Sequence, residues 1–196
     1  AYAPVKPHKL GVMALKNLDL AEIAKYIDWT PFFQTWDLAG RFPQILDDAT
    51  VGEAARNVFR DAQAMLGQII EEDWLTANAV FGLFPVMRPV TNGEDIAFLS
   101  ADGKALMTWH GLRQQQERPE GKPQQSLADF VAPSGDYAGA FAVTAGLGIE
   151  KKLAEFEAQH DDYRAILLKS LADRLAEAAA EWLHREVRTN YWGYAT

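Results

Sequence analysis

The side chains of this sequence that could do chemistry fall into four patterns. Asp28 is the one carboxylate in Tyr26-Ile27-Asp28-Trp29-Thr30-Pro31-Phe32-Phe33-Gln34-Thr35-Trp36, where large aromatics crowd around it. A carboxylate so placed reads on the residues alone as a surface turn residue or a helix cap. Far downstream, Asp173, Glu177, Glu181 and His184 follow at spacings of four, four and three, which puts them in one row on a helix. Such a row is ordinarily a solvated face. Two Glu-x-x-His pairs, Glu157 with His160 and Glu181 with His184, have the spacing of di-iron ligands, which need the motif on two facing helices. The pairs lie 24 residues apart, roughly 36 Å along a continuous helix. A break near Asp161-Asp162 would set Glu157 beside the start of the second arm, not beside Glu181, so no metal site is expected. Ala145-Gly146-Leu147-Gly148 between a strand and a helix has the outline of a phosphate loop. It lacks the third glycine of the dinucleotide pattern and any following Gly-Lys-Ser/Thr, and reads as a sharp turn.

The elements that must position these groups are legible from periodicity. Thr30-Pro31 starts a short helix with Phe32, Phe33 and Trp36 on one face, the Thr30 hydroxyl as its cap and Gly40 as its stop. Ahead of it, Asp19 and Glu22 have capping-box spacing before the stripe Leu20, Ile23, Ala24 and Ile27. Beyond Pro43, Thr50 and Glu53 repeat that spacing before a long stripe of Val51, Ala55, Val58, Phe59, Ala62, Met65, Leu66, Ile69 and Ile70. Ala79 to Val86, Ile96 to Leu99 and Ala105 to Trp109 are rich in strand formers, and the turn dipeptides Asn92-Gly93 and Asp102-Gly103 predict an antiparallel meander. Gln114 to Gln125 is polar and contains proline, the signature of an exposed loop. Tyr137 to Thr144 is a further strand, and Glu150 to about Val187 carries one helical stripe through Leu153, Phe156, His160, Tyr163, Leu167, Leu171, Leu175, Ala178 and Trp182. The expected class is α+β, an antiparallel sheet covered by long helices. Residues 1–17 read as a linker or arm, and 18–196 as one domain.

Composition narrows the function. A chain of 196 residues that is 48% hydrophobic can bury a proper core. A net charge of −8 argues against nucleic acid, and the absence of cysteine removes disulfides, thiolate metal sites and a cysteine nucleophile. No apolar run approaches a membrane span, and the expected setting is cytoplasmic.

The stretch Asp28-Trp29-Thr30-Pro31-Phe32-Phe33 with Trp36, Leu38 and Ala39-Gly40 resembles the opening signature of the activation domain of cobalamin-dependent methionine synthase. Further matches follow in order: Gly82-Leu83-Phe84-Pro85, Leu127 to Pro133, Gly139 to Thr144, Phe156 to Tyr163, Leu171 to Ala178, and Tyr191-Trp192-Gly193-Tyr194-Ala195. The likeness runs from about Ala21 to Ala195. It implies a domain of a methyltransferase that binds S-adenosylmethionine and presents its methyl to a cobalamin held by the adjoining domain. An oxidised cob(II)alamin is then reductively methylated with an electron from a flavodoxin-type donor. Carried over residue by residue, the resemblance makes Asp28 and Glu177 contacts of S-adenosylmethionine. It sets Asp173 opposite a histidine of the cobalamin-binding domain; a second acidic partner for that histidine aligns with Ile149, leaving Glu150 next door to substitute.

Two departures qualify the likeness. Met87-Arg88-Pro89-Val90 replaces an Asn-bearing segment after Pro85. The family's Arg-Pro-x-x-Gly-Tyr-Pro segment, whose Arg binds the ligand carboxylate, lies beyond Thr196, so the 196 residues alone are expected to bind S-adenosylmethionine weakly. The alternative function is a docking module of the same fold, without a complete ligand site, that recognises a corrinoid protein.

Overall fold

The structure, a computed structural model, describes residues 3–89 and 93–196. Val90 and Asn92, which belong to the departing segment and the first expected turn, lie outside the described residues. The chain forms two compact units, one of Ala14–Ala79 with Ala142–His184, the other of residues up to Met13 with Val80–Phe141 and Arg185–Thr196. Its strands are β1 (Gly11–Leu15), β2 (Thr76–Met87), β3 (Asp95–Leu99), β4 (Ala105–His110) and β5 (Asp136–Leu147). Its α-helices are α1 (Leu20–Ala24), α2 (Thr30–Thr35), α3 (Gly52–Glu71), α4 (Ile149–Ala158) and α5 (Asp162–Glu186). The five strands form one sheet in which β1, β3 and β5 all pair with β2, and β4 lies outside β3. This is the expected α+β class. The segment expected to be an arm supplies β1, so part of it is sheet.

The first unit is built on aromatic packing. Phe32 and Phe33 of α2 are fully buried, and Trp29 meets Phe32 and Phe59 edge to face at 5.3 and 5.0 Å, the preferred arrangement of aromatic quadrupoles. Phe42 closes the cluster at 5.2 Å from Phe59. The α3 stripe is buried as expected at Ala55, Val58, Ala62, Met65, Leu66 and Ile69, and Leu167, Leu168, Leu171, Leu175, Ala178 and Ala179 of α5 complete the core.

The helix ends depart from the expected caps. Thr30 does not cap α2: its hydroxyl accepts the Phe42 N–H, while Asp28 Oδ1 accepts the Thr30 N–H. Helix α2 stops at Asp37, not at Gly40. Asp37 takes a left-handed φ of 54°, and Leu38 N–H donates to Phe33 O while Asp37 N–H donates to Gln34 O, the paired bonds of a Schellman motif. Gly40 serves packing instead, since a Cβ there would lie 2.9 Å from Ile45 Cγ1. Before α3, Asp48 rather than Thr50 is the acceptor, taking the N–H groups of Thr50 and Val51. Asp19 does cap α1. The long C-terminal helix is two helices, because His160 turns left-handed at φ 55° and Asp161 N–H closes on Phe156 O. Likewise β5 continues through Gly146 to Leu147, and only Gly148, at φ 94°, makes the turn into α4.

In the second unit β2, β3 and β4 form the expected meander, with Val86 opposite Phe98 and Ile96 opposite Trp109. Gly103 at φ 83° turns β3 into β4. Val86, Ile96 and Ala128 make a small core with Phe98, Val131 and Ala138. Arg113 fastens the polar loop over it, donating to Glu94, to the Gln124 carbonyl and to both oxygens of Asp129. Asp129 Oδ2 in turn accepts the Ser126 N–H at 2.9 Å. Near the two chain ends, Trp192 Nε1–H donates to Val5 O at 2.8 Å and His8 N–H to Tyr191 O at 3.1 Å. Among the described residues, no helix is long and apolar enough to cross a membrane.

Candidate functional site

All four residues singled out from the sequence, Asp28, Glu150, Asp173 and Glu177, belong to the first unit. Asp28 is the last residue but one before α2. Its backbone is fixed on one side by Trp29, wedged between Phe32 and Phe59, and on the other by Ile27, packed on the core. The side chain is exposed. Oδ1 accepts the Thr30 N–H at 2.9 Å, and among the described residues Oδ2 has no protein donor. Asp28 is therefore both the acceptor of an Asx turn leading into α2 and an accessible carboxylate on a rigid base.

Asp173 and Glu177 stand together on the outer face of α5, and a residue the sequence reading gave no role joins them. Arg174 is buried, its side chain only 7% exposed, whereas Asp173 and Glu177 are 69% and 61% exposed. Its Nη1 and Nη2 donate end-on to Glu177 Oε2 and Oε1, both at 2.7 Å. Nη2 also donates to Asp173 Oδ2 at 2.6 Å. Burial alone would lower the Arg174 pKa, but the hydrogen bonds to Asp173 and Glu177 outweigh it and hold the pKa above its ordinary value. A buried guanidinium needs this pairing, because an uncompensated internal charge is strongly destabilising. The signal was present in the sequence as Asp-Arg-x-x-Glu, which sets one cation one residue after the first acid and three before the second.

The structure does not bring the rest of the polar row into this cluster. Glu181 and His184 are exposed on later turns of α5, and Glu150 is exposed in the first turn of α4, after the left-handed Gly148. The Glu157 and His160 pair is split, since His160 lies in the link that ends α4. Among the described residues, no group of three or more His, Cys, Asp or Glu side chains is placed to hold a metal ion.

A second feature of this unit is a cleft of about 320 Å³ lined by Asp61, Met65, Gln68, Asp161, Tyr163 and Leu167 among others. Tyr163 O–H donates to Asp61 Oδ2 at 2.9 Å. Burial, followed by that bond and the Asp61 charge, pushes the phenol up to about 12. Tyr163 also packs on Trp36 at 5.3 Å, tying α5 to the end of α2.

Set against known proteins, residues 19–196 match the family model described as "Vitamin B12 dependent methionine synthase, activation domain". A solved structure titled "Crystal Structure of the MetH Reactivation Domain bound to AdoHcy" is 47% identical, with a TM-score of 0.90. The alignment covers 98% of this chain and 60% of that one, so the chain spans about three fifths of the solved relative's length. The matched stretch contains Asp28 and the carboxylate pair on α5, and the chain belongs to the vitamin B12-dependent methionine synthase activation domain family.

Proposed function

We propose that this chain binds S-adenosylmethionine and presents it to a cobalamin-binding domain of methionine synthase, supporting the reductive methylation that returns an oxidised cobalamin to service. The observation that carries this reading is the 47% identity, over 98% of the chain, to a reactivation domain bound to AdoHcy. AdoHcy is what S-adenosylmethionine becomes once its methyl has left.

The cationic end of such a ligand fits the acidic groups present. Asp28 offers an exposed carboxylate with one oxygen uncommitted, and Glu177 offers one gripped from behind by Arg174. Each would accept from the ligand ammonium in a charge-assisted bond. The ligand itself supplies the electrophilic methyl on its sulfonium, and the chain's part is to orient it, which is catalysis by proximity. The exposed Asp173 and Glu150 carboxylates suit a histidine of the cobalamin-binding domain. The electron would come from a flavodoxin-type donor, in a cytoplasmic setting, with residues 18–196 acting as one functional domain.

The test mixes the chain, extended to the full length of the solved relative, with a separately produced cobalamin-binding domain, a chemical reductant and methyl-labelled S-adenosylmethionine. Label is expected in the cobalamin only when both proteins are present. Equal labelling without this chain would contradict the proposal.

A further inference from the structure

The α5 cluster is asymmetric in a way a surface ion pair is not. Its cation is inside and its two anions are outside: Arg174 is 7% exposed, Asp173 and Glu177 are each more than 60% exposed. The helix explains this. Leu171, Leu175 and Ala178 are buried at 0–1% exposure, so α5 is clamped on its inner face. Arg174 lies against that face with its stem covered and its head turned out to the acids, the usual behaviour of a long amphipathic side chain. Two carboxylates one turn apart would otherwise repel, and each would be free to rotate in water.

The hydrogen-bond inventory makes the arrangement specific. Nη2 carries two N–H groups; it serves Glu177 Oε1 at 2.7 Å and Asp173 Oδ2 at 2.6 Å. Nη1 holds the other Glu177 oxygen. A lysine could not reproduce this, since its ammonium is a point charge without the planar fork that grips a carboxylate through two parallel bonds. The cluster also retains one net negative charge, two carboxylates against one guanidinium, and so still attracts a cation.

We infer that Arg174 is a positioning residue that fixes Glu177 for the ligand and Asp173 for the partner domain at once, so that one buried cation sets the geometry of two separate contacts. This rests on the roles proposed above for Glu177 and Asp173. Glu177 needs both oxygens held for its outward lone pairs to face a fixed direction, and Asp173 has one oxygen held and the other left for the partner. Arg174 touches neither ligand nor partner; it acts through the acids.

The experiment measures two affinities and one stability on the chain extended to the solved relative's length: S-adenosylmethionine by calorimetry, the isolated cobalamin-binding domain by titration, and the urea unfolding midpoint. The variants are Arg174→Met, Arg174→Lys, Glu177→Gln and Asp173→Asn. Glu177→Gln is expected to weaken only the ligand and Asp173→Asn only the partner domain. Arg174→Met is expected to weaken both, each about tenfold. Combining Arg174→Met with Glu177→Gln should weaken the ligand little more than Glu177→Gln alone, because the arginine acts through that acid. Arg174→Lys, which keeps the charge and guards against a methionine variant that does not fold, should recover part of both affinities. Folded arginine variants with wild-type affinities, or a double variant whose losses add in full, would overturn the inference and leave a purely structural ion pair. A wild-type protein that bound neither probe would overturn the site reading itself, and the inference with it.

Discussion

Asp28 Oδ1 accepts the N–H of Thr30 at 2.9 Å, so the carboxylate proposed to meet the ligand also satisfies a backbone donor at the start of α2. The two duties separate by substitution. Asn closes an Asx turn as Asp does, but carries no charge. Asp28→Asn should leave the unfolding free energy within about 0.5 kcal/mol of wild type, while Asp28→Ala should cost about 1 kcal/mol through the lost hydrogen bond. Urea denaturation followed by tryptophan fluorescence checks both. Equal losses in the two variants would mean that the charge, not the hydrogen bond, stabilises the turn.

Acid should act on the second unit through Asp129. The hydrogen bond from Arg113, then the Ser126 N–H, lowers the Asp129 pKa from 3.8 to about 2. A carboxyl depressed in the folded state contributes stability above its unfolded pKa and loses it as pH falls through the folded one. The contribution is thus present above pH 3.8 and fades towards pH 2. Asp129→Asn should destabilise the protein at pH 7 and flatten its stability profile between those two values. A profile parallel to wild type across that window would remove Asp129 from the acid response.

Tyr163 offers a reading at the opposite end of the scale. Its phenol is raised to about 12 by burial first and by Asp61 second. Asp61→Asn should therefore bring it down only part of the way to 10, because burial remains. Absorbance at 295 nm during alkaline titration, with Tyr163→Phe to assign the residue, measures this. An unchanged titration in Asp61→Asn would deny the bond.

The notable legibility of the chain lies in its stripes, and its opacity lies in its ends. The aromatic face of α2 and the α3 stripe follow from period alone, because burial of one face is what each helix needs, whereas the β2–β4 meander follows from strand formers and turn dipeptides, since β4 is exposed along its whole length. The structure departs from the ends expected at Thr30, Thr50 and Gly40 because nearby aspartates compete for the same work. Asp28, Asp48 and Asp37 hold those positions instead, and only tertiary packing decides between them. His160 falls on the helical stripe, and although histidine is among the residues that tolerate positive φ, period alone does not place the left-handed link there. At the site, the carboxylates were identifiable from their motif matches, but Arg174 was not. Spacing places it between the acids, and its burial by the core beneath α5 is a three-dimensional fact.

Asp173→Asn should keep the fold, since Arg174 retains both bonds to Glu177, and weaken docking to the cobalamin-binding domain by removing a charge-assisted bond to its histidine. Titrating the two domains against each other between pH 6 and pH 8 checks it. Equal affinities for wild type and variant would take Asp173 out of the interface.

The most direct measurement is calorimetric titration of S-adenosylmethionine into the chain extended to the solved relative's length, in wild-type, Asp28→Asn and Glu177→Gln forms that unfold at the same urea concentration. Loss of one charge-assisted bond to the ammonium, about 1.5 to 3 kcal/mol, predicts affinities roughly ten- to more than a hundredfold weaker in each variant. Variants that bind as tightly as wild type would contradict the assignment of the ligand to these two carboxylates.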